Sequence, residues 1–300
     1  MNLVESLSDV PDRKIVLAAG AFDGLHKGHV AVLETARNLA RAHQAEPGIL
    51  RFYPHPSRIL TPETSPPLLG TEETLAERLD DLGIHLHIRL PFSKKFARQE
   101  PEEFLQHLKD QIPGLKGMVV GSNWRFGYRG RGDVELLSHW GHEHGVEIQQ
   151  TPDTFEGEEM ISSTRIRNAI RSGDLASAAG MLGHPYSLKG TVKKGKQYGR
   201  DLGFPTANFT PGQECLPPEG VYAMRVLREG ADPMTGAGYI THTPALVEVH
   251  LLGFSGDLYG QTLTTELLEF RRPATPIRDK DVLQARIQND VEGIRREYAG

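Results

Sequence analysis

Ten residues near the start constrain this chain more than any others. Gly20-Ala-Phe-Asp-Gly-Leu-His-Lys-Gly-His29 lies between the apolar run Ile15-Val16-Leu17-Ala18-Ala19 and a stretch where Val30, Leu33, Ala36, Leu39 and Ala40 recur at helical spacing. The pattern predicts a buried strand feeding a glycine-rich turn into a helix N-terminus. Such a junction gathers free backbone N–H groups at the positive end of a helix dipole, and both favour an anion such as phosphate. His26 and His29 add donors that can meet charge developing on a phosphoryl oxygen. The alternative is a turn whose histidines only cap the helix. The glycine punctuation around the two imidazoles argues for the site.

The first half continues as strand–helix alternation. Residues 48–52 read as a strand closed by Pro54-His55-Pro56, and residues 71–82 as a helix stopped by Gly83. Ile84, Leu86, Ile88 and Leu90 alternate with His85, His87 and Arg89, the pattern of a half-buried strand with both histidines on its exposed face. A helix is expected over 101–108, a buried strand over 118–120, a helix over 135–144 and a strand over 146–148. The fold class expected is α/β, an N-terminal doubly wound parallel sheet with ligands at the carboxyl ends of its strands. Loops 20–29, 53–56 and 121–133 all fall on that side.

Beyond about residue 185 the helical period disappears. Short β-branched segments at 188–192, 220–227, 246–252 and 263–270 predict a small antiparallel β-barrel. Val282, Leu283, Ile287, Val291 and Ile294 then predict a terminal amphipathic helix. The domains expected are 1–185 and 186–300, with the boundary near His184-Pro185.

Composition removes several function classes. The 34 basic and 39 acidic residues give a net charge of −5, so no basic field exists to hold nucleic acid or an anionic membrane. No apolar run approaches the ~20 residues that span a bilayer, and acids stand near the N-terminus where a signal peptide carries basic residues. The single cysteine, Cys215, excludes an intramolecular disulfide and a cysteine zinc cage. A cytoplasmic enzyme acting on small molecules is expected, with the question of a homo-oligomer left open. His139, His142 and His144 cluster at a helix end without metal-ligand spacing.

A second group, Ile161-Ser-Ser-Thr-Arg-Ile-Arg167, opens a helix with good capping residues. Ser162, Ser163 and Thr164 would add hydroxyl and N–H donors at another positive helix end. Arg165 or Arg167 would then hold phosphates.

Together these two elements resemble the nucleotidylyltransferases that carry a His-x-Gly-His motif, and among them the bacterial bifunctional riboflavin kinase/FMN adenylyltransferase (FAD synthetase) family. Phe52-Tyr-Pro-His-Pro56, Gly121-Ser-Asn-Trp-Arg-Phe-Gly127 and Arg131-Gly-Asp133 match further family elements, and the resemblance runs from about residue 14 to residue 290. It implies ATP, riboflavin and FMN as substrates and Mg²⁺ as cofactor. In the first half it implies His26 and His29 at the α-phosphate and triphosphate oxygens. It also implies ATP contacts from Gly20, Phe22, Asp23, Gly28, Ser162, Ser163, Thr164 and Arg167. Pro54, His55, Pro56, Asn123, Arg125 and Asp133 would shape the flavin side.

In the second half, Gly190-Thr-Val-Lys-Lys-Gly-Lys196 spells the start of a P-loop, but Gln197 replaces the hydroxyl residue that would meet Mg²⁺. The longer string ends Gly203-Phe-Pro-Thr-Ala-Asn208 and instead resembles the riboflavin kinase barrel. The resemblance places Thr206 and Asn208 at Mg²⁺, folds Gly190, Gly195 and Gly199 over ATP, and makes Glu248 the base that takes the ribityl hydroxyl proton. One segment departs from the family pattern. Residues 237–245 lack the asparagine expected before the glutamate strand and are shortened, which leaves two readings: a bifunctional enzyme, or an adenylyltransferase with a barrel that only binds flavin.

Overall fold

A computed structural model describes residues 2–195 and 198–298. Lys196 and Gln197, which decide against a P-loop, lie outside the described residues. By compactness the chain forms two units: Met1–Pro66 with Glu72–Ser162, and Pro67–Thr71 with Ser163–Gly300.

The first unit runs β1 (Asn2–Val4), β2 (Ile15–Ala19), α1 (Lys27–His43), β3 (Glu46–Tyr53), α2 (Pro56–Leu60), α3 (Glu72–Asp81) and β4 (Leu86–Pro91). It continues through α4 (Pro101–Gln111), β5 (Leu115–Gly121), α5 (Val134–His144), β6 (Glu147–Thr151) and a small hairpin, β7 (Phe155–Glu156) and β8 (Glu159–Met160). Six strands form one sheet in the order β1-β4-β3-β2-β5-β6, and every pairing in it is parallel. Its faces are buried on both sides, which explains why β2 is apolar at every position. One core layer joins Leu17, Met118 and Val120 to α4 and α5. The other joins Val16, Ala18 and Val119 to α1 and α3 through Leu33, Ala36 and Leu79. The strand order reverses direction on either side of β2, so β2 and β5 end together at the switch point where α/β sheets bind ligands.

The second unit runs α6 (Ser163–Ser172), α7 (Leu175–Leu182), β9 (Ser187–Thr191), α8 (Tyr198–Asp201), β10 (Ala207–Phe209), β11 (Gly220–Arg228), β12 (Ala231–His242), β13 (Ala245–Leu251), β14 (Thr262–Pro273) and α9 (Lys280–Tyr298). Six strands pair antiparallel in the order β10-β13-β12-β11-β14-β9. An isolated bridge from Lys193 to Asn208 links the chain just past β9 to β10, so the sheet nearly closes on itself. Helices α6 and α7 pack on each other and α7 packs on β14, which groups them with the barrel. Leu68 bridges to Glu214 within this same unit.

Two expectations change in the structure. β12 is a strand that the residue pattern does not announce: its Gly236, Gly238 and Pro233 mask the alternation, yet it pairs with both β11 and β13. At Gly238 the Met224 side chain occupies the space a Cβ would take, its methyl carbon 2.2 Å from that position. His87 is not a surface residue. It is only 2 % exposed, because the face it shares with Arg51 and Arg89 is roofed by polar pairing rather than by water. His85, outside β4, is exposed and pairs with Asp80.

Candidate active sites

In the first unit the chain must turn from β2 into α1 within a few residues. Phe22, Gly24 and Leu25 do this with left-handed backbone, at φ of 52°, 75° and 43°. For the two non-glycine residues that costs on the order of 1–3 kcal/mol each, strain of the kind concentrated at functional sites. The Phe22 ring compensates by burying itself, 1 % exposed, with its edge toward His29 at a centroid distance of 5.4 Å. Phe22 thus presents backbone rather than ring to any ligand.

His26 caps α1, its Nδ1 accepting the His29 backbone N–H at 3.3 Å. An accepting Nδ1 leaves the proton of the neutral ring on Nε2, as a donor. The two imidazoles stack with centroids 3.7 Å apart. A Cβ on Gly28 would come within 3.2 Å of the His26 ring, so a side chain there would press on the stacked imidazole. His29 Nδ1 is buried with no partner among the described residues. Burial, with His26 beside it, holds the His29 pKa well below the usual histidine range. At neutral pH this ring is uncharged and keeps one N–H to offer. Lys27 pairs with Glu156 at 3.0 Å and ties the β7–β8 hairpin to the start of α1.

The neighbouring loops are held by local capping. His55 caps α2 between Pro54 and Pro56, accepting the Ser57 N–H at 3.3 Å. Asn123 is exposed just beyond β5. Arg125 donates from Nη1 to the Trp124 carbonyl at 3.1 Å, and Asp133 caps α5, accepting the Leu136 N–H at 3.0 Å. The hydroxyl-rich motif straddles the two units: Ser162 closes the first, while Ser163 and Thr164 start α6 in the second. Arg167 is buried in that second unit and donates from Nε to the Pro67 carbonyl at 2.6 Å.

A different polar cluster lies on the α1 side of β3 and β4. Arg51 and Arg89 are cross-strand partners, both pair with Glu72, and Arg89 also pairs with Glu5. His87 sits among them with neither ring nitrogen hydrogen-bonded among the described residues. Burial, then Arg51 and Arg89, lower its pKa to about 3.

The barrel site is organised by register. Across the sheet, Asn208 of β10 faces Glu248 of β13, Glu248 faces Tyr239 of β12, Tyr239 faces Val221 of β11, and Val221 faces Arg272 of β14. Opposed residues share a face, so one rung carries a carboxylate at one end and a guanidinium at the other. Val247, Val249 and Leu251 alternate to the buried side, as the spacing around Glu248 predicts. Glu248, Tyr239 and Arg272 line a cavity of about 340 Å³ together with Leu283, Ile287 and Asp290. Burial and the charges of Glu219 and Glu248 raise the Tyr239 pKa, against the pull of Arg272.

A second cavity, of about 510 Å³, is lined by Arg200, Pro205, Thr206, Phe254, Asp257 and Tyr259 among others. Thr206 lines both cavities. Its hydroxyl donates to the Asn208 side-chain oxygen at 3.3 Å. The glycines of the preceding loop pack closely here. A Cβ on Gly195 would meet Asn208 Nδ2 at 2.2 Å, and one on Gly199 would meet the Phe204 carbonyl at 2.5 Å. Gly190 is equally constrained, by the Phe209 ring at 2.3 Å. Tyr239 and Arg272 escape a reading of the sequence because only register brings them into the cavity that Glu248 lines; Asp290 lies in the closing-helix segment 286–290, which the family resemblance implies as a cover of the flavin site.

The fold and sites define a nucleotidyltransferase-like α/β unit followed by a kinase-like antiparallel barrel. Family models agree: one for FAD synthetase matches residues 9–165 and one for riboflavin kinase matches residues 182–298. The chain belongs to the bifunctional riboflavin kinase/FMN adenylyltransferase family. It is 33 % identical to the protein of that description from Escherichia coli (strain K12), over 99 % of this chain and 96 % of that one. The Listeria monocytogenes relative is 32 % identical over 95 % of this chain and 92 % of its own. A crystal structure described as a macrolide-efflux protein from Streptococcus pneumoniae is 27 % identical, with a TM-score of 0.87 and 98 % of each chain covered. Among the described residues no helix is long and apolar enough to cross a membrane.

Proposed function

We propose that the α/β unit adenylylates FMN and the barrel phosphorylates riboflavin, the two activities of this bifunctional flavin-cofactor enzyme. We place the functional boundary near residue 185, close to where the riboflavin kinase match begins at residue 182 and after the FAD synthetase match ends at residue 165. The observation that carries the reading is that each unit holds the group its own reaction needs.

FMN is already an anionic nucleophile, so attack on the α-phosphorus of ATP requires no base. It requires alignment and relief of charge on the phosphoryl oxygens. The stacked pair at the α1 N-terminus supplies imidazole donors there, from His26 Nε2 and from the uncharged His29. Gly20, Asp23 and Gly28 bring backbone close to the nucleotide. Ser162, which closes this unit, would meet the departing pyrophosphate; the family resemblance implies the same role for Ser163, Thr164 and Arg167, which fall in the second unit. Pro54, His55, Pro56, Asn123, Arg125 and Asp133 frame the flavin, with the cap roles of His55 and Asp133 fixing their loops.

Riboflavin instead presents a hydroxyl, which must lose a proton as it attacks the γ-phosphorus. Glu248 takes it. Thr206 stands in the wall between the cavity holding Glu248 and the second cavity, so flavin in the first and ATP in the second meet at its hydroxyl. Thr206 and Asn208 offer two uncharged oxygens 3.3 Å apart, a set that suits a Mg²⁺ ion retaining water and phosphate ligands. The ion would neutralise charge on the β- and γ-phosphates.

The macrolide-efflux description of the pneumococcal structure is not extended to this chain, because both family models and the curated relatives point to flavin chemistry. The substrates are small molecules, ATP, riboflavin and FMN, and a cytoplasmic setting suits a chain whose one cysteine is free. The test is direct. The full chain, given riboflavin, ATP and Mg²⁺, should form FMN and then FAD. FAD from supplied FMN but no FMN from riboflavin would reduce the barrel to a flavin-binding module.

A further inference from the structure

Strands β10 and β13 bring four polar side chains to one corner of the barrel. Their register pairs Asn208 with Glu248 and Ala207 with Val249. Continued by one step beyond the start of β10, the same register sets Thr206 beside His250. Glu248 and His250 are alternate residues of β13, so they share a face about 7 Å apart along the strand. Thr206, Glu248 and His250 line the same cavity. Phosphoryl transfer gives Thr206, Asn208 and Glu248 each a task. It leaves His250 without one.

The His250 side chain reaches out of its own strand. Its Nδ1 lies 2.8 Å from the Pro205 carbonyl oxygen. A carbonyl oxygen can only accept, so Nδ1 carries a proton and donates it, in the neutral ring and in the imidazolium alike. Pro205 stands two residues ahead of β10 and immediately before Thr206. Its carbonyl precedes the strand ladder, and the imidazole supplies a partner there. The Phe204 ring meets His250 edge-on, with centroids 5.7 Å apart and planes at 90°. Phe204 itself is buried in the cluster that holds Leu202, Ala223 and Leu252. Apolar packing thus holds the base of the 204–206 turn, while His250 holds its carbonyl.

The grip matters because of what the turn carries. Asn208 lies within β10, so the ladder fixes it against Glu248. Thr206 lies just ahead of that strand, and its hydroxyl donates to the Asn208 side-chain oxygen at 3.3 Å. The bond from His250 extends the hold of β13 past the end of the ladder, far enough to include Thr206. A displacement of about 1 Å between groups that must act together costs about 10²-fold in rate.

We propose that His250 is a positioning residue of the barrel, which sets Thr206 against Glu248 by donating from Nδ1 to the Pro205 carbonyl. It acts through that carbonyl and exchanges no proton with a substrate. The inference rests on the kinase reading for the tasks of Thr206 and Glu248. It adds to that reading the residue that fixes their separation.

Two substitutions in the full chain separate the hydrogen bond from the ring. His250→Asn keeps an N–H donor near the place of Nδ1, discards the ring and cannot act as a base. His250→Phe keeps a ring beside Phe204 and discards the donor. With saturating ATP and Mg²⁺, His250→Phe should lower kcat for riboflavin phosphorylation about 10²-fold, with the riboflavin KM within threefold of wild type. His250→Asn should stay within fivefold of wild type in kcat. Hydrogen exchange of peptides spanning 202–209, read without substrates, should quicken at least tenfold in His250→Phe and stay near wild type in His250→Asn. Unchanged exchange in β11 and β14 shows an intact barrel. If His250→Phe does not fold, His250→Gln replaces it, because its amide extends one bond beyond the place of Nδ1; the same losses are expected. Equal kcat in wild type and His250→Phe overturns the proposal, as does a loss in His250→Asn as deep as in His250→Phe. A loss carried by KM, or a lower kcat with unchanged exchange at 202–209, overturns it too. The expected exchange pattern in a chain that forms no FMN would sustain the brace and remove the kinase reading instead.

Discussion

In the proposed function the stacked histidines of the α/β unit and the glutamate rung of the barrel both serve attack on a phosphorus of ATP, yet they share no residue type. The difference follows from the nucleophile. A phosphate arrives ionised, so the α/β unit needs neutral donors on a rigid strand-to-helix turn and gains nothing from a base. A ribityl hydroxyl arrives protonated, so the barrel needs a carboxylate and a cavity long enough to bring the right hydroxyl to it. The first site is built on a local backbone feature, strained at Phe22 and Leu25 and capped by His26. The second is built on long-range register among five strands.

That contrast can be broken most sharply by single substitutions. Glu248→Gln should lower riboflavin phosphorylation by roughly 10²–10⁴, the usual worth of a positioned base, while FAD formation from supplied FMN stays unchanged. His29→Ala should do the converse, lowering FAD formation by about 10²–10³, the range for one lost oxyanion donor. Both products, measured chromatographically from one preparation, give the answer. Loss of both activities in a folded variant would mean the sites are not separable.

The uncharged state of His29 sharpens the comparison through pH. Burial and His26 hold His29 well below the ordinary histidine range, so His29 should stay unprotonated, and FAD formation persist, as pH falls through about 6.5, the ordinary histidine value. In His26→Gln, which removes one of the two depressing causes, the acid limb of kcat/KM for ATP should move to higher pH. A limb that stays in place or moves down would refute the proposed coupling of the two rings.

A smaller effect concerns stability of the α/β unit alone. His87 is neutral in the fold to about pH 3, whereas in the unfolded chain it binds a proton below its ordinary value near 6.5. The unfolded state then holds the extra proton, so stability falls as pH drops from about 6.5 toward 3. Between pH 7 and pH 5 the loss from this one residue should be about 2 kcal/mol. Urea titration of His87→Leu at the two pH values should show a flatter dependence by about that amount. An unchanged slope would mean that His87 takes up its proton with the fold intact.

The chain's local elements are largely legible in the residue pattern. The strand at 15–19, the turn at 20–29 and the helix behind it follow from apolar period and glycine placement, and β2 spans the same five residues. Helices α4 and α5 begin within a residue of their expected starts. Where the pattern misleads, the cause is an interaction between distant segments. Alternation makes His87 look exposed, but Arg51, Arg89 and Glu72 cover its face. β12 looks like a shortened loop because two of its glycines make room for Met224 and Val249 of neighbouring strands.

The sequence by itself determined where phosphate chemistry is to be sought, because a glycine-rich turn, a helix start and paired imidazoles are local features written in consecutive residues. Tertiary structure alone decided which side chains share the barrel cavity. Tyr239, Arg272 and Asp290 reach Glu248 through strand register and the docking of α9, and register depends on how whole faces bury rather than on any short string of residues.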